Sequence, residues 1–176
     1  MTTDVDETSG SLWNASAAEP DWEAVYTEQL PRVYNFMRYR MGNEVLAQDL
    51  TSRTFEKAWR ERHRYRRDIA AISTWLLRIA RNVVIDHRRT THEQVSLEEA
   101  ADVIADGTPE EEAMIRSNFA RLSALTLMLS ARERDLLALK YGAGATNRTI
   151  AELTGLSESN VGTILHRAVQ TLRAQW

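Results

Sequence analysis

Apolar residues recur along this chain at the three- and four-residue spacing of a helix face, and no stretch shows the alternation of a strand. The sharpest case is TWLLRIARNVVIDHRR, Thr74 to Arg89, which predicts a helix opened by Ser73 or Thr74 as cap. Trp75, Leu76, Ile79, Ala80, Val83 and Val84 form one stripe, and Arg78, Arg81, Asn82, Arg88 and Arg89 form another. One side is built to be anchored in a core, the other to be cationic with an amide among the charges.

Upstream, Asp21 is placed to cap a helix from Trp22, with Val25, Leu30, Val33, Tyr34, Phe36 and Met37 inside, Pro31 as a kink or restart, and Gly42 as its end. A second helix is expected over Glu44–Arg60. Ala47, Leu50, Thr51, Thr54, Phe55, Ala58 and Trp59 lie on its buried side, and Gln48, Asp49, Ser52, Arg53, Glu56 and Lys57 lie outside. RERHRYRRD, Arg60 to Asp68, is a basic connector whose large apolar residue is Tyr65.

Further on, Ser96 to Glu99 is a capping-box pattern, and Thr108-Pro109-Glu110-Glu111 combines a cap, a proline at the first helical position and a glutamate at the third. A helix is expected from there to about Met128. Ser130-Ala-Arg-Glu133 opens another that ends before Gly142. The last thirty residues predict a short helix from an Asn147 cap to Thr154, a tight turn at Gly155, and a longer helix capped by Ser157. Val161, Ile164, Ala168 and Leu172 are its buried stripe. Short helix, glycine turn and second helix form the helix-turn-helix pattern, with an ordinary helical hairpin as the other reading. In that motif the second helix enters the major groove, so Ser159, Asn160, Thr163, His166, Arg167 and Gln170 would face base edges and phosphates. The expected fold is all-α: two small helical domains joined by an acidic linker, the C-terminal one carrying the helix-turn-helix. The boundaries read as 1–20 for a disordered acidic N-terminus, 21–90, 91–112 for the linker, and 113–176.

Charge sharpens this division. The net charge of −3 hides segregation. Residues 1–31 hold seven acids and no Lys or Arg, and 32–89 hold fourteen bases and six acids. Residues 90–113 hold eight acids and no bases, and 114–176 hold eight bases and four acids. Two basic blocks parted by an acidic one point to two modules that each meet a polyanion, nucleic acid first among them; unevenly charged solvated faces are the alternative. Composition excludes other classes. With no cysteine there is neither a disulfide framework nor a thiolate metal site. No apolar run approaches the ~20 residues of a membrane span, and the acidic start is unlike a signal peptide, so a cytoplasmic protein without stable membrane insertion is expected. His63, His87, His92 and His166 show no metal-ligand spacing. GAGATN, Gly142 to Asn147, lacks the Lys-Ser/Thr ending of a phosphate loop. No nucleophile–base pair stands out, so neither an enzyme nor a cofactor is expected.

LAQDLTSRTFEKAW followed by STWLLRIARNVVIDHRR resembles the second region of bacterial RNA polymerase sigma factors. The terminal helix-turn-helix, preceded by LSARERDLLALKYGAG, resembles their fourth region. The short chain with a direct linker resembles the extracytoplasmic-function group. The resemblance implies a factor that binds core RNA polymerase, recognises and melts promoter DNA, and starts transcription. It implies that Tyr65, Arg66, Arg67, Trp75, Arg78, Arg81, Asn82, Arg88 and Arg89 serve the upstream-of-start element, the loop Arg66–Ser73 receiving a flipped base. It implies that Ser159, Asn160, Thr163, His166, Arg167 and Gln170 serve the minus-thirty-five element, and that Gln48, Asp49, Ser52, Arg53 and Glu56 meet a coiled coil of the polymerase's largest subunit. An anti-sigma protein is the further partner it implies. Arg53 stands where an acid is common, Arg67 where glycine is frequent, and Leu165 and Gln170 where Lys and Arg are usual. The other functional classes compatible with the residues are a polymerase-independent helix-turn-helix regulator and a protein-binding helical adaptor.

Overall fold

The computed structural model describes residues 20–93 and 109–176, without the side chains of residues 91–93 and 109–116. The expectations for the acidic N-terminus at 1–19, the capping box at Ser96–Glu99 and the cap at Thr108 fall outside the described residues. Every regular element among the described residues is helical: α1 Trp22–Met41, α2 Glu44–Glu61, α3 Ile72–Glu93, α4 Pro109–Thr126, α5 Ala131–Leu137, α6 Asn147–Thr154 and α7 Glu158–Gln175.

Local chemistry sets most of these ends. Asp21 accepts hydrogen bonds from the amides of Glu23 and Ala24 at the start of α1, and Gly42 ends it in the left-handed region at φ 67°. Pro31 lies on the exposed side and α1 runs through it unbroken, because Val33, Phe36 and Met37 just beyond are buried and hold the following turn in place. Asn43 caps α2 through its bond to the Leu46 amide. Ser130 and Glu133 close a reciprocal capping box on α5. Two starts differ from the sequence reading. Helix α3 begins at Ile72, two residues earlier than expected, and Thr74 is buried inside it instead of capping it. The cap of α6 is Thr146, whose hydroxyl accepts from the Thr149 amide at 3.1 Å, and Asn147 is the first helical residue.

Helices α1, α2 and α3 form the first module around Phe36, Met37, Leu50, Leu76, Ala80 and Val84, all essentially inaccessible. Each large apolar side chain buried there stabilises the fold by about 1.5–3 kcal/mol. Thr51 and Thr54 enter this core because their hydroxyls bond back to the carbonyls of Ala47 and Leu50 at 2.6 and 2.7 Å. Trp59, expected inside, is 53% exposed and packs edge-on against Trp22 at the module's rim. The second module, α4 to α7, closes around Leu136, Leu139, Ile150, Val161 and Ala168. In α7 the buried stripe runs Val161, Leu165, Ala168, with Ile164 and Leu172 half-buried. Leu165 is therefore a core residue, which the predicted stripe had left out in favour of Ile164.

The two modules pack directly on one another. α5 ends at Leu137, earlier than its pattern suggested, and the chain passes into a wide π-type turn, Ala138–Gly142, closed by the Ala143 amide bonding to the Ala138 carbonyl at 2.9 Å. This turn lies against α1. A Cβ at Gly142 would stand 2.7 Å from the Asn35 carbonyl oxygen and 3.1 Å from the Phe36 Cα, so only glycine fits. Beside it, Arg32 donates through Nε to the Ala143 carbonyl at 3.0 Å. At the far end of α1, Arg38 lies 3.9 Å over the Phe119 ring of α4.

Candidate nucleic-acid interface

Helix α3 carries both stripes that its sequence predicts. Leu76, Ile79, Ala80, Val83 and Val84 are buried, joined by Leu77, which the stripe had not included. Arg78, Asn82 and Arg89 are exposed, and Arg81 and Arg88 half-exposed. The stem is fixed further by Lys57 of α2, 3.7 Å from Asp86. An apolar anchor with a cationic outer face is what positions guanidinium and amide groups against phosphates and base edges.

The loop before α3 is held by its own residues. Tyr65 donates its hydroxyl to the Ala70 carbonyl at 3.2 Å and its ring lies tilted against Trp75, 5.4 Å between centroids. Trp75 in turn meets Trp22 at 6.1 Å, so it is half-buried in an aromatic cluster and acts first as a support for the loop. Arg66 grips Asp68 with Nε at 2.9 Å and Nη2 at 2.8 Å. That hydrogen bond holds the Asp68 carboxyl below its ordinary range. Arg67 is exposed beside it.

The second module covers part of the α3 cationic face. Arg81 brings Nε and Nη2 each to 2.9 Å from one oxygen of Asp135 on α5, and its Nη1 donates to the Leu153 carbonyl of α6. The other Asp135 oxygen lies 3.5 Å from Nε of Arg40. Arg40 Nε makes no hydrogen bond and has only this ion-pair contact. Burial lowers the proton affinity of Arg40 most; Asp135 opposes this, and the like charges of Arg88 and Arg134 add to it. Arg78 pairs with Glu152 of α6 at 3.4 Å, both well exposed. Asn82 and Arg89 have no such partner among the described residues. No local pattern marked Arg40 or Asp135 in the sequence, because each finds its partner from a distant part of the chain.

The helix-turn-helix is differently placed. Gly155 turns the chain at φ 72°, and Ser157 caps α7 by accepting from the Asn160 amide. Ser159, Asn160, Thr163, His166, Arg167 and Gln170 all lie exposed along one side of α7. Thr163 returns its hydroxyl to the Ser159 carbonyl at 3.1 Å. The first helix of the motif is the one that touches α3, and the second faces outward. On α2, Gln48, Asp49, Ser52, Arg53 and Glu56 form an exposed face on which Asp49 pairs with Arg53 at 2.9 Å and Glu56 with Arg60 at 3.4 Å. Such exposed pairs stabilise a helix by only about 0.3–0.5 kcal/mol and break readily for a partner. Among the described residues no group of acids and histidines could hold a metal, and no helix is long and apolar enough to cross a membrane.

Known proteins match both modules. The sigma-70 region 2 family matches residues 25–93, and sigma-70 region 4 matches residues 119–172. The chain is 28% identical over 162 residues to the extracytoplasmic-function sigma factor BldN of Streptomyces coelicolor, covering 90% of this chain and 61% of BldN. It is equally similar to SigL of Mycobacterium tuberculosis, covering 90% of this chain and 91% of SigL. The fold matches the sigma factor RpoE of Bartonella quintana, solved with the anti-sigma factor NepR, at a TM-score of 0.72 with 21% identity over 88% of this chain and 95% of that one. It matches CnrH, solved with the cytosolic domain of CnrY, at 0.67 with 20% identity over 88% and 86%. With both regions matched in order on two helical modules, the chain belongs to the extracytoplasmic-function group of RNA polymerase sigma factors.

Proposed function

We propose that the chain acts in the cytoplasm, by binding alone, and guides core RNA polymerase to promoters in which α3 opens the upstream-of-start element and α7 reads the minus-thirty-five element. The observation that carries this is α3, anchored by a continuous buried stripe while Arg78, Arg81, Asn82, Arg88 and Arg89 line its other side. Melting costs base stacking, so a displaced base needs a ready pocket. The loop braced by Tyr65 and Trp75, with Arg66 and Arg67 at its edge, is our candidate. The exposed face of α2 from Gln48 to Glu56 would dock on the polymerase's largest subunit.

The closed arrangement adds a control step. With Arg81 engaged by Asp135 and Arg78 by Glu152, the free chain would hold α3 back from DNA, and docking on core polymerase would part the modules. An anti-sigma protein is the second partner proposed. It would secure the inactive form by binding both modules, in keeping with the structurally similar RpoE, solved with the anti-sigma factor NepR.

Run-off transcription with reconstituted core polymerase tests the reading. Promoter-specific transcripts that require both chain and core are expected. The exposed face of α7 favours one competing reading, a regulator that binds duplex without polymerase. Tight, sequence-specific binding by the chain alone, with no transcripts from the reconstituted enzyme, would establish that reading instead.

A further inference from the structure

Packing the modules together creates a cleft of about 320 Å³ that neither possesses alone, walled by Arg40, Arg81 and Arg88 from the first and Arg132 and Asp135 from the second. Four guanidiniums therefore face one carboxylate, and that carboxylate is already spent on Arg81 and Arg40. Among the described residues no acid pairs with Arg88 or Arg132. Arg40 is only 9% exposed and its Nε makes no hydrogen bond. Arg88 and Arg134 press on it with like charge. Positive charge removed from water and incompletely paired is unfavourable, and a bound anion is the direct remedy. The planar donor forks of arginine match phosphate oxygens in particular.

We propose that this cleft is a binding site for a di- or triphosphate group, free or carried by a nucleotide, and that its occupant clasps the two modules shut. A multiply charged phosphate chain can bridge guanidiniums contributed by α1, α3 and α5, which a single small monoanion cannot. Because both walls are needed, binding favours the closed form by its difference in affinity for the two arrangements. The regulatory meaning rests on the reading that closure withholds α3 from promoter DNA; the site itself does not.

The test is calorimetric titration of the full chain with pyrophosphate, with adenosine triphosphate, and with sulfate at matched ionic strength. Fluorescence energy transfer between dyes on the two modules is followed in parallel. Saturable one-to-one binding of pyrophosphate is expected, with a rise in transfer. Arg132→Gln should weaken it roughly tenfold, as loss of one charge-assisted contact does, without changing the melting curve of the unliganded chain. Tighter binding of the nucleotide would make that the source; equal binding would leave the phosphate chain alone as the ligand. Binding no tighter than sulfate, or indifference to Arg132→Gln, would overturn the proposal. So would displacement of pyrophosphate by non-promoter duplex, which would make the cleft a DNA contact. So too would binding that emerges only after Glu98 and Glu99 are changed to Gln, which would make the chain's own carboxylates the cleft's anions. A chain that drives promoter-specific transcripts but ignores pyrophosphate sinks this proposal alone. One that binds pyrophosphate but drives no transcripts sinks the functional reading alone.

Discussion

Asp135 of α5 bridges two arginines of the other module, holding Arg81 at 2.9 Å through one carboxylate oxygen and Arg40 at 3.5 Å through the other. The bridge is mostly shielded from water, with 20% of the Arg81 side chain and 15% of the Asp135 side chain accessible. Removing one member of such a pair leaves charge uncompensated, which costs about 3–5 kcal/mol in fully buried cases and less here. Asp135→Asn should therefore open the modules. Energy transfer between them should fall, and the free chain should bind promoter DNA more tightly at a fixed salt concentration. Unchanged transfer would show that the ion bridge does not hold the closed form.

Gly142→Ala should open the modules by a different route. The added carbon meets main-chain atoms of Asn35 and Phe36, so the π-type turn must lift from α1. Overpacking of this kind costs typically 1–3 kcal/mol. No charge is altered, so the effect should be as large at high salt as at low, whereas that of Asp135→Asn should shrink as salt screens the pair. Matching salt dependence in both variants would contradict this separation.

Asn82 and the α7 pair Asn160 and Arg167 should fail in different ways. Asn82 is exposed and takes no part in the buried stripe, so Asn82→Ala should fold normally. If its contact is base-directed, about 1–3 kcal/mol of promoter opening is lost, and an artificially bubbled template should restore much of the transcript yield. Asn160→Ala with Arg167→Ala should weaken recruitment to duplex, and the bubble should help little. Equal rescue of both by pre-melting rules out this division of labour.

Arg66 and Asp68 make the loop before α3 sensitive to acid. The hydrogen bond from Arg66 holds the folded pKa of Asp68 below its unfolded value, so the loop gains order from the pair above the unfolded pKa and loses it as pH falls through the folded one. Carbon-detected titration should find Asp68 ionising below the ordinary aspartate value. In Asp68→Asn the backbone signals of residues 65 to 70 should no longer shift in step over that range. A normal Asp68 titration would mean that the pair does not persist in solution.

Tyr65→Phe deletes the hydroxyl that ties the loop to the Ala70 carbonyl, a bond of about 0.5–1.5 kcal/mol, and leaves the ring on Trp75. Trp75→Ala removes the shared support of Tyr65 and Trp22 and should destabilise the first module by several kcal/mol. The first variant should retain its melting temperature to within a few degrees but melt promoters less well; the second should lose both. Loss of promoter opening by Trp75→Ala with an unchanged melting curve would assign Trp75 directly to DNA.

What the sequence revealed follows range. The α3 stripe and the caps at Asp21, Ser130 and Ser157 depend on residues within a turn or two, and these were legible. Thr146 and Asn147 are both capable caps, and adjacency made the choice ambiguous. In α7 the buried place expected of Ile164 belongs to its neighbour Leu165, in a helix where each residue turns the face by about 100°. Trp59 follows the buried period of α2, yet it lies at the module's rim, covered only in part by Trp22 and by the Arg62 guanidinium 4.1 Å over its ring. The Asp135 bridge, the Arg78–Glu152 pair and the approach at Gly142 join positions more than fifty residues apart, and no local spacing announces them. The exposure of the proposed DNA contacts was readable, but the partial occupation of those on α3 by the second module was not.

The close approach at Gly142 also has a genetic consequence. A glycine codon becomes an alanine codon by one base change, so the closed form can be lost in a single step. Its opposing surface is the main chain of Asn35 and Phe36, which looks the same whatever side chains α1 carries. No replacement at those two positions makes room for the new methyl group. Revertants that recover closure while keeping the Gly142→Ala change should therefore be absent from Asn35 and Phe36. They should collect where the turn itself can be reshaped, or where new attraction between the modules can be added elsewhere.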